Sequence, residues 1–177
     1  LAAQIIGADL WSGEYASIKI NKGSSDNLRK GMAVITRDGV VGNIFTIYPS
    51  YATVLVLTDR NSVIDAIVQR SRARGIIEGL GNDTCHMKYL QRTDDIKTDD
   101  LVVTSGLDGI FPKGFPIGTV TRVSKKSYGV SQKVDIKPTV DINRIEEVFV
   151  IQKPDSKIPE PIEDEATPPR ALKERKK

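Results

Sequence analysis

The chain has 177 residues, with 26 basic and 23 acidic side chains, a formal net charge of +3 and 6% aromatic residues. A charge this close to balance excludes the strong positive field of a nucleic-acid-binding protein, and the sparse aromatic residues offer no stacking platform for single strands. The sequence has no apolar run of about eighteen residues that could span a membrane as a helix, and the single cysteine, Cys85, excludes both an intramolecular disulfide and a thiolate metal cluster.

Short strands follow one another through the first part of the chain. Runs of β-branched and apolar residues, separated by turn residues, predict strands at residues 5–6, 15–20, 32–36, 40–48, 52–58 and 63–69. Asp38-Gly39 predicts a tight hairpin turn, and Gly42 predicts a bulge or bend inside the fourth strand. Because no convincing amphipathic helix interrupts these strands, the pattern favours a small barrel or sandwich.

The second part of the chain repeats the pattern of the first. Five segments recur in the same order, and repeats of this length indicate a duplicated unit. The pairs are residues 5–7 with 76–79, 17–20 with 86–90, 28–36 with 96–104, 42–47 with 118–123, and 63–69 with 146–152. We therefore predict an all-β protein of two tandem six-stranded β-barrels, residues 1–70 and 71–152, with the chymotrypsin-like barrel architecture. One larger β-sandwich with similar strands is the alternative.

The most distinctive stretch is LVVTSGLDGIFPKGFPIGTV, residues 101–120. Two strands there flank a long loop that is rich in glycine and proline. The loop contains three large apolar residues, Ile110, Phe111 and Phe115, which either form a private core under the loop or face a partner protein. The first reading is the commoner one for a loop, and the second makes these residues our candidates for partner binding.

Residues 153–177 differ in composition from the rest. They contain five prolines, an acidic block at residues 163–165 and a basic end. Such a segment cannot bury enough apolar surface to offset its conformational entropy, so we predict a disordered tail.

The strongest enzymatic interpretation is a β-barrel serine hydrolase. Ser105 follows a buried strand, His86 is the only histidine, and a third group would have to orient the imidazole. The carboxylates available for this are Asp94, Asp95 and Asp108. In chymotrypsin-like proteases, however, the histidine and the serine come from different barrels, whereas both fall in the second barrel here. We therefore expect Ser105 and Thr104 to close the strand and hydrogen-bond the loop backbone.

No metal or cofactor site is predicted. Cys85 and His86 are adjacent and lack the spacing of zinc ligands. Asp94-Asp95 and Asp99-Asp100 have no calcium-loop pattern around them and read as exposed turn residues. The Gly-rich turns lack the lysine and the strand-to-helix context of a phosphate loop.

Three stretches, residues 22–44, 55–79 and 96–120, together resemble the extracytoplasmic region of MreC, the bacterial rod-shape-determining family. The third is the most specific, since its Thr-Ser-Gly and Phe-Pro-Lys-Gly-Phe-Pro-Ile-Gly pieces occur in order. Two positions depart from the family pattern. Asp99 stands where glycine is usual, and Asp108 stands where a small residue is common.

The resemblance implies a non-enzymatic scaffold of the cell-elongation machinery, with two β-barrels outside the cell membrane. It implies that a transmembrane helix and a coiled coil precede this chain and anchor it at the periplasmic or extracytoplasmic face. The implied partners are a class B penicillin-binding transpeptidase, MreD, the SEDS glycosyltransferase RodA and the actin-like MreB. It also implies self-association through the coiled coil. Edge strands of either barrel are a further candidate route to self-association, by strand addition. Preferential binding to one conformation of the transpeptidase would activate it.

Overall fold

The computed structural model describes residues 1–10, 14–125 and 131–152. The predicted tail at residues 153–177 lies outside these ranges. The described regular structure is β, apart from two single-turn 3₁₀ helices at Ser24–Asp26 and Ile142–Arg144. The strands are β1 (Ala2–Asp9), β2 (Ser17–Ile20), β3 (Ala33–Ile35), β4 (Val40–Ile47), β5 (Ala52–Val56), β6 (Val63–Val68), β7 (Arg74–Asn82), β8 (Thr84–Gln91), β9 (Leu101–Thr104), β10 (Pro116–Lys125), β11 (Ser131–Pro138) and β12 (Glu147–Val150).

These strands form two closed, six-stranded antiparallel barrels, which confirms the predicted fold class. The second barrel is continuous in sequence and runs round the ring as β6-β7-β8-β11-β10-β9. The first barrel has the same order, β12-β1-β2-β5-β4-β3, with β12 in the place that β6 takes in the second. All five predicted sequence pairs therefore connect strands that occupy equivalent positions, and the duplication is confirmed.

The predicted division into residues 1–70 and 71–152 is wrong for one strand on each side. β6 pairs with β7 and β9 and so belongs to the second barrel, and β12 pairs with β1 and β3 and so closes the first. The two strands have the same alternating pattern, so each could complete either barrel. Sequence periodicity defines which face of a strand is buried but not which neighbour it joins.

A glycine at an equivalent bulge lets each barrel bend. Val34 and Ile35 pair with Gly42 and Val40, and Val102 and Val103 pair with Gly118 and Pro116, so one residue is extra on the longer strand each time. A Cβ at Gly42 would lie 1.9 Å from the Leu55 carbonyl oxygen, and one at Gly118 would lie 2.4 Å from that of Lys137. No side chain fits there, which confirms the bend predicted at Gly42.

Each barrel is filled by the inward-facing residues of its strands. Ile18, Ile20, Val54 and Val148 are at most 1% exposed in the first barrel. The larger second cluster is built around residues such as Ile77, Met87, Val102 and Ile136, and it also takes in Ala33, Val40 and Leu57 from the first barrel. Since full burial of such a side chain contributes about 1.5–3 kcal/mol, the shared residues fasten the two barrels together.

Closure of both rings removes the edge strands that we had considered for self-association. Every described strand has a neighbour on both sides, and an edge must lack one to accept a new strand. One-sided pairing is confined to strand ends, such as residues 121–125 of β10 and residues 7–9 of β1. Within the described residues, no helix has the length and hydrophobicity needed to cross a bilayer.

Candidate protein-interaction site

The loop between β9 and β10 is built around Thr104. The Thr104 hydroxyl accepts a hydrogen bond from the Phe115 amide at 2.9 Å and donates one to the Pro112 carbonyl at 2.5 Å. The Thr104 backbone N–H donates to the Phe115 carbonyl, and its carbonyl accepts from the Gly114 amide, each at 2.9 Å. One side chain at the end of a buried strand therefore ties both ends of the loop, as predicted from the sequence.

Ser105 and Asp108 shape the near side of the same loop. The Ser105 hydroxyl accepts from the Leu107 amide at 3.0 Å, which confirms its predicted turn role. Asp108 Oδ1 accepts from the amides of Ile110 and Phe111 at 2.8 and 3.1 Å. The acidic residue at this unusual position thus satisfies two loop donors that would otherwise be unpaired.

The three predicted partner-binding residues have different environments. Phe111 is only 2% exposed and belongs to the core cluster of the second barrel, so the private-core interpretation holds for it. Ile110 and Phe115 are half-buried and pack against the same core. Leu107, which our sequence analysis did not select, is 68% exposed at the top of the loop. The sequence did contain an indication of this exposure, because Leu107 is a large apolar residue in a turn, immediately after Gly106.

The structure does not bring Ser105 and His86 together. Ser105 follows β9, whereas His86 lies on β8, and these strands stand on opposite sides of the six-stranded ring. The Ser105 hydroxyl is used by the Leu107 amide, and it also hydrogen-bonds Asp65, whose pKa is lowered mainly by Arg74 and to a lesser extent by this hydroxyl. A catalytic serine needs its general base within hydrogen-bond reach, and His86 is not within reach of Ser105. The geometry therefore does not support the hydrolase interpretation.

His86 sits instead on the outer face of the second barrel. Its side chain is 7% exposed, its Nε2 lies 3.5 Å from Glu78 Oε2, and neither ring nitrogen has a hydrogen-bond partner. Burial, followed by the charges of Lys133 and Lys88, lowers the pKa of His86. Its neighbour Cys85 is a core residue of the barrel, and burial raises the pKa of that thiol to about 12. Adjacent strand residues point to opposite faces, so Cys85 and His86 cannot share a metal.

The acidic residues that we considered for catalysis or calcium are engaged elsewhere. Asp94 accepts from the Gln91 amide at 2.7 Å, and Arg70 binds Asp95 at 2.6 Å and Asp100 at 2.7 and 2.8 Å. The hydrogen bonds from Arg70 lower the pKa of both carboxyl groups. Asp100 is buried, so the prediction of an exposed turn residue is wrong for it. No group of potential metal ligands occurs among the described residues.

Asp99 departs from the family pattern at a position with a left-handed backbone. Its φ is +69°, a conformation that glycine adopts freely and that aspartate tolerates better than most other residues. The backbone conformation at Asp99 is thus one that glycine would also adopt.

A cleft separates the two barrels where the chain crosses between them. It is lined by residues of both crossovers, among them Thr58, Thr139, Asp141 and Ile142, together with Asp83 at the turn before β8. Neither Ser105 nor His86 lines it. Two-barrel proteases assemble their catalytic residues in the cleft between the barrels. Among the described residues of this chain, the cleft contains no serine or cysteine nucleophile with a histidine base.

Comparisons with known proteins agree with this fold. The family model described as "Rod shape-determining protein MreC, barrel core" matches residues 6–152. The cell shape-determining protein MreC of Listeria monocytogenes is 38% identical over 141 residues, which cover 77% of this chain and 48% of that protein. The crystal structure of MreC from Pseudomonas aeruginosa is 34% identical, with a TM-score of 0.81 over 86% of this chain and 98% of that one.

A more distant structure shares the fold at 15% identity. It is a complex between a penicillin-binding protein and MreC from Helicobacter pylori, with a TM-score of 0.67 over 83% of this chain and 93% of that one. The chain spans about half the length of the MreC proteins of Listeria monocytogenes, Geobacillus stearothermophilus and Bacillus subtilis.

Proposed function

This chain belongs to the MreC family of rod shape-determining proteins, and from that premise we propose that it is a non-enzymatic scaffold that binds a class B penicillin-binding transpeptidase. Membership of the family over residues 6–152 carries the proposal. The complex of a penicillin-binding protein with MreC from Helicobacter pylori supports the choice of partner. MreD, RodA and MreB complete the set of partners that we propose for the whole protein, and self-association through a preceding coiled coil would add avidity.

We place the scaffold at the extracytoplasmic face of the cell membrane, held there by a helix that precedes this chain. The partner is an enzyme of peptidoglycan synthesis, so the barrels must lie where that enzyme works. The scaffold acts by preferring one conformation of the transpeptidase, because a ligand shifts a conformational equilibrium only through its different affinity for the two states. A preference of about 1.4 kcal/mol changes the population ratio about tenfold.

We propose the loop between β9 and β10 as the contact surface. Leu107 is exposed, and the half-buried Ile110 and Phe115 lie on the same loop and rest on the barrel core. Phe111 anchors the loop from below rather than touching the partner. The loop is held in place by a hydrogen bond that Thr104 donates and by hydrogen bonds that Ser105 and Asp108 accept. An apolar surface on a rigid loop loses little entropy on binding, which suits a small interface.

The experiment titrates the purified chain with the soluble ectodomain of its cognate class B transpeptidase. Leu107→Ser removes the exposed apolar side chain without touching the core, and we expect it to weaken binding about tenfold. Tyr48→Ser is the matched control, because Tyr48 is an exposed apolar residue of the first barrel, at 43% exposure. If Leu107→Ser bound the transpeptidase as tightly as the parent chain, the contact would not include this loop. If only Tyr48→Ser lost affinity, the contact would lie on the first barrel.

A further inference from the structure

A second surface on the second barrel has features that the fold does not require. It is a groove between β8 and β11, lined by Lys88, Tyr89, Ser131, Gln132 and Lys133. It lies on the opposite side of the ring from β9, so it is separate from the loop that we propose for the transpeptidase.

The groove is made by a bulge in β8. Leu90 pairs with Gln132 and Met87 with Val134, so Lys88 and Tyr89 together face the single residue Lys133. Tyr89 has a φ of +62° and is 72% exposed. A bulky residue in the left-handed region costs about 1–3 kcal/mol, and glycine would remove that cost. Because Tyr89 is 72% exposed, burial of its ring offsets little of that cost.

The groove is positively charged. Two lysines and no acidic residue line it. Glu78 pairs with Lys88 from β7, but Lys133 forms no ion pair with any residue in the described part of the chain. Lys88 and Lys133 lie on the outer face of their strands. The nearest acidic residues on that face, Glu78 and Asp135, are paired with Lys88 and Arg122. An unpaired lysine in a groove, beside an exposed ring, favours a ligand that carries carboxylates.

We propose that the groove between β8 and β11 docks an extended, acidic peptide segment of a partner protein. Carboxylates of the segment pair with Lys133 and Lys88, and the Tyr89 ring packs against the chain between them. A lipid surface would also supply anions, but a flat membrane would not enter a groove between two strands. This site is additional to the transpeptidase contact and does not depend on it.

The test uses two acetylated, fluorescein-labelled decapeptides, one alternating glutamate with alanine and one alternating glutamine with alanine. Fluorescence anisotropy at low salt measures their affinity for the full chain, because screening weakens exposed charge pairs. We expect binding of the glutamate peptide alone, weakened about tenfold by Lys133→Glu. NMR shifts should centre on Lys88, Tyr89 and residues 131–133. Tyr89→Gly should also weaken binding while preserving the melting temperature, since glycine suits the backbone there.

Lys113→Glu is the matched control, because Lys113 is exposed on the same barrel and undergoes the same charge change. Equal weakening in this control would overturn the proposal in favour of unspecific attraction. Equal binding of the glutamine peptide would overturn it, as would no binding of either peptide. Binding only to phosphatidylglycerol vesicles, lost in Tyr89→Gly, would identify the surface as a membrane contact instead.

Discussion

The two barrels have the same strand order but are not equally independent. The second is continuous from β6 to β11, whereas the first consists of β1 to β5 and needs β12 from the far end of the chain. The equivalent strands β6 and β12 are therefore exchanged. β6 ends the first sequence repeat but joins the second barrel, and β12 ends the second repeat but joins the first barrel. Both connections give the same closed barrel. They differ in whether the barrel can fold without the rest of the chain, which we expect of the second barrel and not of the first.

The barrels also differ in how the third and fourth strands of each repeat are joined. In the first, β3 and β4 are joined by a short turn in which the Thr36 amide donates to the Gly39 carbonyl at 2.8 Å. In the second, the loop from Ser105 to Phe115 joins β9 and β10 and brings Phe111 into the core. The strands that both repeats share are needed to close the barrels. We therefore expect the partner-binding function in the loop between β9 and β10, where the two repeats differ.

The largest expected effect comes from ending the chain at residue 146. This removes β12, with the fully buried Val148 and Val150, and leaves β1 and β3 each without one of their two neighbours. Two such side chains contribute about 3–6 kcal/mol before the open edges are counted, which is comparable to the whole stability of a small domain. We expect hydrogen exchange to show lost protection in β1 to β5 and retained protection in β6 to β11.

A chain ending at residue 152 is the control for that truncation, since it loses residues 153–177 but keeps β12. It should keep protection in both barrels. If the shorter chain lost protection throughout, the second barrel would depend on the first, and the contrast between them would fail.

The next effect separates the two kinds of apolar residue on the loop. Phe111→Ala creates a cavity in the second barrel and should lower the free energy of unfolding by about 3–5 kcal/mol. Leu107→Ala removes an exposed side chain and should change it by about 0.5 kcal/mol or less. Urea unfolding followed by circular dichroism measures both. Similar values for the two variants would mean that the loop packs in another way.

The sequence was informative about features that each strand carries locally. Alternation located the strands, Gly42 marked the bend in the first barrel, and the five paired segments revealed the duplication. The exchange of β6 and β12 was not predictable, because both strands have a pattern that fits either barrel. Nor could composition distinguish Phe111 from Leu107, since both are large apolar residues in one loop. Burial there depends on Asp108 and Thr104, whose hydrogen bonds turn the chain inward.

The smallest effect concerns an ion pair of the second barrel that has no counterpart in the described part of the first. Arg70 holds the buried Asp100, whereas the repeat places Met32 at the equivalent position of the first barrel. Arg70→Gln leaves a buried carboxylate unpaired and should destabilise the chain at pH 7, more than Arg122→Gln does, because Arg122 is 73% exposed.

The pH dependence of this difference follows from the direction of the pKa shift. The hydrogen bonds from Arg70 lower the pKa of Asp100 in the folded chain. The pair therefore contributes fully above the unfolded pKa of about 3.9 and loses its contribution as the pH falls through the lower folded value. We expect the gap in melting temperature between Arg70→Gln and Arg122→Gln to shrink from pH 7 to pH 3. A gap of equal size at both values would assign the role of Arg70 to packing rather than to charge, and the acid sensitivity of the second barrel would need another source.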